Sequence, residues 1–192
     1  MLNDFHYDRC AQCIRDGIIH ALQLQTQYIQ NIQKSKDYQS RIRALSFDVY
    51  PWHQYVALSI RLNSDTVENN PAEWSHFEFI STVECDSIPL KKAAEYITQQ
   101  YESAEEQGIS AREMAHLLFL ASAEALLSSD VIILLQKMGV ELEDSDDPLD
   151  FQRVKLCVWD VDESISANYC DIIRANRATE QIVQFLKESK GV

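Results

Sequence analysis

The spacing of apolar residues changes along the chain and divides it into helical and extended segments. In residues 4–35 the apolar positions recur at helical spacing and glutamines fill much of the other face, which predicts a long first helix. From residue 41 apolar and polar residues alternate, as they do in strands with one buried face. Two such runs predict a hairpin, and their apolar positions are Leu45, Phe47 and Val49, then Val56, Leu58, Ile60 and Leu62.

Two further alternating runs predict a third and a fourth strand. The third places Phe77, Phe79, Ser81 and Val83 on one face and Ile80 on the other, and the fourth covers residues 154–161. Because side chains alternate between the faces of a strand, one sheet face should be buried beneath a helix over residues 114–127. The residues expected on that face are Leu45, Phe47, Val56, Leu58, Ile60, Phe77, Phe79, Leu156 and Val158.

Capping residues mark two helix boundaries in the second half of the chain. Ser87 predicts a helix start, and the apolar stripe that follows it leads to a stop at Gly108. Ser110 and Glu113 have the spacing of a capping box, which predicts the start of the apolar helix over residues 114–127.

Two more helices complete the order of elements, which is α-β-β-β-α-α-β-α. One covers residues 131–138 and the last contains residues 182–186. Strands and helices do not alternate, so the order predicts an α+β fold: a mainly antiparallel sheet of about four strands with helices packed on it. The chain has 192 residues, 46% of them apolar, and no linker-like stretch, which predicts a single domain over residues 1–192.

Negative charge is concentrated in one part of this acidic chain, whose net charge is −13. Residues 141–163 contain nine acids and two bases, so they account for −7 of the total. A field of one sign can attract a basic protein, whereas nucleic-acid binding requires a basic surface that displaces counterions. We therefore expect a basic protein partner and no direct nucleic-acid binding. The candidate partner-binding acids are Asp144, Asp146, Asp147 and Asp150.

Three acids near the fourth strand are candidates for catalysis. Asp160, Asp162 and Glu163 lie at its end, where a strand can fix carboxylates for metal binding or acid–base work. The alternative is structural, because carboxylates at such a junction also cap a helix and favour its dipole. The chain has no nucleophile, phosphate-binding or zinc-protease motif, which favours the structural role.

Two tryptophans lie at ends of the predicted strands. Trp52 is in the hairpin connection and Trp74 comes just before the third strand. The favoured role for both is to close the edge of the core, because large aromatic side chains bury much area. The alternative is that they anchor a partner, since tryptophan ringed by polar residues often dominates binding energy.

Cysteine usage and the absence of targeting segments indicate a cytoplasmic protein. Five cysteines in an ordinary globular composition are typical of reduced thiols rather than a disulfide framework. His6, Cys10 and Cys13 would share one side of a helix, but zinc normally needs a fourth ligand, so we expect neither metal nor cofactor. No segment has the pattern of a secretory signal or of a membrane span.

Two short motifs, taken with the long first helix and the hairpin, suggest a class of proteins. Pro71-Ala72-Glu73-Trp74 precedes the third strand, and Val158-Trp159-Asp160-Val161-Asp162 ends the fourth. In this combination the chain resembles small bacterial α+β proteins of the toxin-immunity type. The resemblance implies a cytoplasmic inhibitor that covers the active surface of a toxin, and it assigns no catalytic residue.

Protein binding is therefore the leading hypothesis from the sequence. Carboxylates of the acidic stretch could pair with the lysines and arginines that a nuclease toxin uses on phosphate. A metal-dependent or small-molecule enzyme using Asp160, Asp162 and Glu163 is the second hypothesis, and a regulatory or scaffold module is the third.

Overall fold

The chain forms a four-stranded sheet with helices packed on one face, as shown by a computed structural model that describes residues 6–143, 153–160 and 167–189, with side chains to residue 181. The helices are α1 (Tyr7–Leu24), α2 (Thr26–Gln33), α3 (Ile88–Glu102), α4 (Ala111–Leu126), α5 (Ser129–Lys137) and α6 (Tyr169–Ser189). The strands are β1 (Ile42–Tyr50), β2 (Tyr55–Leu62), β3 (His76–Ser81) and β4 (Lys155–Cys157). The predicted α+β class is confirmed.

The sheet is mixed but mainly antiparallel, with the strand order β3-β2-β1-β4. Strands β1, β2 and β3 pair antiparallel, and β4 pairs parallel to β1. Strand β4 is shorter than predicted because the buried side chain of Asn168 takes over pairing at its end. The Asn168 amide accepts from the Val158 amide nitrogen at 3.0 Å and donates to the Leu156 carbonyl at 3.0 Å.

One face of the sheet lies in a large apolar core with helices α1, α3 and α4. The predicted core positions on β1, β2 and β4 are buried, and Phe79 is partly buried against the same core. The confirmed buried residues are Leu45, Phe47, Val56, Leu58, Ile60, Leu156 and Val158.

The prediction for Phe77 is wrong, because the register between β2 and β3 puts the other set of alternating β3 residues on the core face. Ile60 pairs with His76, and Leu58 pairs with Ile80. Between these two pairs β2 advances by two residues and β3 by four, so β3 contains two extra residues. Since side chains alternate, this register places His76 and Ile80 on the core face with Ile60 and Leu58, and the two extra residues form a bulge between them. Ile80 is consequently 2% exposed in the core, whereas Phe77 is 37% exposed. Glu78, within the bulge, has a left-handed φ of 49°.

The predicted long first helix is broken into α1 and α2. At the junction the Gln25 amide donates to the Leu22 carbonyl at 3.0 Å, a tighter turn than in an α-helix. The Thr26 hydroxyl donates to the Gln23 carbonyl at 2.9 Å. Threonine thereby competes with regular helical hydrogen bonding, which separates two segments that share one amphipathic pattern.

Two of the predicted helix starts are confirmed, and one predicted end is not. The Ser87 hydroxyl accepts from the amide at the start of α3, but that helix ends at Glu102, before Gly108. Gly108 instead has φ +71° in the following turn. The capping box of α4 is present, with Ser110 and Glu113 each accepting a backbone hydrogen bond from the other.

Helix α6 is held against α4 by polar contacts near its start. His116 Nδ1 lies 2.5 Å from the Tyr169 hydroxyl oxygen, and Arg177 pairs with Glu124 at 2.5 Å. Among the described residues no single helix is both long and apolar enough to cross a membrane. Helices α4 and α5 pass that test only as a pair, bent by 49°.

Candidate functional site

The face of the sheet opposite the helices, called here the second face, is covered by the loop of residues 63–75. Trp74 of this loop packs on Ala44 of β1 and Cys157 of β4. Its indole nitrogen donates to the Val67 carbonyl at 3.1 Å, and the side chain is buried. Trp74 therefore closes a small second core.

Asp65 fastens this loop to the sheet. Its carboxylate accepts from the Leu62 amide at 2.8 Å and from both the amide and the hydroxyl of Ser75. Burial alone would raise the pKa of Asp65, but these hydrogen bonds and the nearby Arg61 outweigh it and lower the pKa below the usual value. The loop is thus held as a fixed cover.

A cavity of about 230 Å³ opens on the second face beside this loop. Asp48 and Asp160 are 3% and 6% exposed, whereas Asn69, Asn70, Ala72 and Phe77 at its rim are exposed. The cavity thus combines buried acids with an accessible entrance. It is lined by Asp48, Tyr50, Asn69, Asn70, Pro71, Ala72, Phe77, Trp159 and Asp160.

Asp48 is positioned by a chain of hydrogen bonds that begins at the bulge of β3. The amide of Glu78 donates to the Ser59 hydroxyl oxygen at 2.9 Å, and that hydroxyl donates to Asp48. The Ser46 hydroxyl donates to the other Asp48 oxygen at 2.6 Å. Because the Ser59 oxygen already accepts a hydrogen bond, its proton is directed at the carboxylate.

Burial also makes Asp48 an unusual acid. It raises the pKa of Asp48 to about 6, against the opposing effect of the two serine hydroxyls. The negative charge of Glu78 adds to the rise. The nine lining residues include two acids and no base, so a cation in this cavity would relieve the cost of burying the Asp48 charge.

Asp160 connects the cavity to the junction between α4 and α6. The pKa of Tyr169 is raised by burial and then by the charge of Asp160, so the two side chains interact. Tyr169 in turn contacts His116 at 2.5 Å. Among the described residues Asp160 is the one sequence-predicted acid, and it lines the cavity.

Three aromatic rings complete the lining. Tyr50 lies beside Tyr55, with ring centroids 5.5 Å apart, and burial raises the pKa of Tyr50 to about 12. Phe77 reaches the cavity from β3, and Trp159 follows β4. The Trp159 indole nitrogen is buried and has no acceptor among the described residues.

Of the predicted site residues that the structure describes, Trp52 and Trp74 do not line this cavity. Trp52 is half-buried, and its ring lies 5.9 Å from that of Tyr101 on α3. The acids Asp144, Asp146, Asp147, Asp150, Asp162 and Glu163 lie outside the described residues.

Four of the five cysteines are buried, and the suggested metal ligands His6, Cys10 and Cys13 differ in exposure. All five cysteines are free, and burial raises the pKa of Cys10 and of Cys157 to about 12. His6 is exposed while Cys10 is fully buried. Within the described ranges no group of three or more histidine, cysteine, aspartate or glutamate side chains could hold a metal ion.

Sequence reasoning missed Asp48, Asn70 and Phe77 as site residues. Asp48 alternates with the core residues of β1, so its place on the second face could be predicted. Its burial could not, because it depends on the loop that returns over that face. The available signal was the set Ser46, Asp48 and Ser59, three small polar residues that the hairpin register brings together.

Comparison with known proteins does not assign the chain to a family. No family model, curated protein or solved structure matches the chain.

Proposed function

We propose that this chain is an acidic protein-binding module, of the kind that inhibits a basic toxin, and that its partner covers the second face of the sheet. The cavity carries this proposal, because the buried carboxyl of Asp48 lines it and the lining residues include no base. A cationic group of a partner would compensate that buried charge. Exposed Phe77 at the rim offers apolar contact area beside it.

The net charge of the whole chain also favours a basic partner. With a net charge of −13, the chain attracts basic proteins over several ångströms and repels acidic ones. The acidic stretch of residues 141–163 ends close to the cavity in sequence, since Asp160 belongs to both. Long-range attraction and a short-range cation site would then act on one partner.

The test is binding to the product of the adjacent gene, measured by calorimetry with the full chain. Ala72 lines the cavity and is exposed, so Ala72→Trp should obstruct the entrance and weaken binding at least tenfold. Thr66→Trp is the matched control, because Thr66 is exposed on the same loop but does not line the cavity.

Equal affinities of the parent and the Ala72→Trp variant, with both proteins folded, would remove the cavity from the interface. A partner that binds with no dependence on salt concentration would contradict recognition of a basic surface, because screening weakens contacts between exposed charges.

A second function, acid–base catalysis on a small molecule, is favoured by one observation. Burial raises the pKa of Asp48 to about 6, which allows this carboxyl to hold or release a proton near neutral pH. For this function the parent should turn over a substrate with a rate that changes around pH 6, and Asp48→Asn should abolish turnover. Partner binding without any such activity would leave the inhibitor proposal in place.

A further inference from the structure

The cavity has the size of one side chain rather than of a whole ligand. Its volume is about 230 Å³. Pockets that hold drug-sized molecules are larger, at about 300–1,000 Å³. Its acids are buried and its rim is exposed, so a side chain projecting from another protein can enter from the rim.

Asp48 has two acceptor positions that its serines do not use. One oxygen accepts the Ser46 hydroxyl and the other accepts the Ser59 hydroxyl. An ionised carboxylate offers about four lone-pair sites, so one site on each oxygen remains. Two parallel acceptors fit the planar fork of a guanidinium, which donates two parallel hydrogen bonds, better than they fit the single point charge of an ammonium.

The aromatic lining favours the same group. Tyr50, Phe77 and Trp159 all border the cavity. A guanidinium stacks on aromatic faces and is more weakly hydrated than an ammonium, so it loses less on leaving water for a site of this kind.

We propose that the cavity is an arginine site, in which Asp48 binds the guanidinium of one arginine from the basic partner. The assignment rests on the proposed function and names the chemical group that it recognises. Ser46 and Ser59 are positioning residues, because they hold the carboxylate of Asp48 and do not themselves line the cavity.

The test uses N-acetyl-L-arginine amide as a probe of an arginine side chain within a polypeptide. It is titrated into the full chain at pH 7.5 and followed by calorimetry and by tryptophan fluorescence, to which Trp159 should contribute. We expect one saturable site. N-acetyl-citrulline amide, which is nearly isosteric but neutral, should bind at least tenfold more weakly, and N-acetyl-lysine amide several-fold more weakly.

Variants of the chain connect the probe to the cavity. Asp48→Asn should weaken arginine binding at least tenfold, and Ala72→Trp should do the same while leaving Asp48 intact. Glu95→Gln is the control, because Glu95 is an exposed acid on α3 outside the lining and its removal should leave the affinity unchanged.

Three results would overturn the arginine site: citrulline amide binding as well as arginine amide, lysine amide binding equally or better, or Ala72→Trp leaving affinity unchanged. Free L-arginine binding tenfold more tightly than the amide would assign the cavity to a free amino acid instead. Salt-dependent partner binding together with any of these results would preserve the proposed function. Arginine binding without a partner would reject the proposed function alone.

Discussion

Asp48 is the residue at which burial and charge oppose each other most directly. It lies on a central strand between core residues Phe47 and Val49, yet its own carboxyl faces the other side of the sheet. Hydrogen bonds from Ser46 and Ser59 offset part of the cost of burial, and the pKa of about 6 reflects the part that remains. The residue is better suited to receiving a cation than to stabilising the isolated fold.

The first prediction concerns the pH dependence of stability. Because the pKa of Asp48 is higher in the folded chain than the ordinary value of 3.8, the folded state holds the proton more tightly. The Asp48 contribution therefore lowers the free energy of unfolding by about 3 kcal/mol as the pH rises from about 4 to about 6. Urea unfolding of the parent and of Asp48→Asn at several pH values should show this fall as the difference between the two profiles.

Asp130→Asn serves as the control for that measurement. Asp130 is an exposed acid whose nearest ion-pair contact, with Arg15, is 3.6 Å long. Its profile should run parallel to that of the parent. A difference profile for Asp48→Asn that is flat between pH 4 and 6 would show that Asp48 is not buried in its charged form.

At the scale of elements, the helices meet through small residues and the second face depends on a fastened loop. Gly17 lets α1 approach α3 closely: a Cβ at this position would lie 3.1 Å from Leu90 Cα and 3.2 Å from the Pro89 oxygen. Both neighbouring atoms belong to the backbone and cannot rotate away. On the other side of the sheet, Asp65 holds residues 62 and 75 together.

Gly17→Ala is the second prediction. Alanine favours a helix by about 1 kcal/mol over glycine, but overpacking a tight contact costs about 1–3 kcal/mol. We expect a net loss of about 1 kcal/mol in the free energy of unfolding, measured in urea. Gln12→Ala, at an exposed position of the same helix, should change stability by less than about 0.5 kcal/mol. A stabilised Gly17→Ala variant would mean that the two helices can move apart freely.

Asp65→Ala is the third prediction. The change removes the acceptor of two backbone amides and one hydroxyl, so we expect a loss of about 2 kcal/mol in stability. Because the loop covers the second face, the affinity for N-acetyl-L-arginine amide should also fall several-fold although Asp65 does not line the cavity. Thr66→Ala, beside it on the same loop, should alter neither quantity. Unchanged arginine affinity in the Asp65 variant would show that the cavity does not need the fastened loop.

At the scale of the whole molecule, charge and shape have separate roles in the proposed recognition. The fold provides a sheet with helices on one face and a cavity on the other. The sequence provides an excess of negative charge that is strongest over residues 141–163. Charge at a distance governs the rate of encounter, whereas buried contacts govern how long a complex lasts.

The fourth prediction separates these roles. Replacing Asp144, Asp146, Asp147 and Asp150 by Asn should slow association with the basic partner about tenfold at low salt and leave dissociation nearly unchanged. The difference should shrink at high salt, because salt screens the long-range attraction between the two proteins. Surface plasmon resonance at two salt concentrations measures both rates.

A charge-matched control keeps that experiment specific. Glu95, Glu102, Glu105 and Glu106 are exposed acids on and just after α3. Their replacement by Gln removes the same total charge and should slow association less. Equal slowing by both sets would assign the effect to net charge alone, and no slowing by either would remove electrostatic steering.

The sequence by itself determined the fold class, most of the elements and the residues of the main core. Helical and two-residue periodicities are local properties, so the hairpin, the capping box at Ser110 and the buried face of β1 and β2 could be predicted. The pattern also singled out Asp160, because it ends an alternating run.

Only the tertiary structure decided the break at Gln25, the reversed facing of Ile80 and Phe77, and the burial of Asp48. Each depends on a partner distant in sequence or on a hydrogen bond that competes with the regular pattern. The bulge at Glu78 is an example, because it interrupts the regular backbone of β3. The Glu78 amide donates to the Ser59 hydroxyl oxygen, and the Ser59 hydroxyl donates to Asp48 and so helps to position it. Periodicity predicts which side of a strand a residue occupies, whereas contacts with distant parts of the chain determine whether that side is covered.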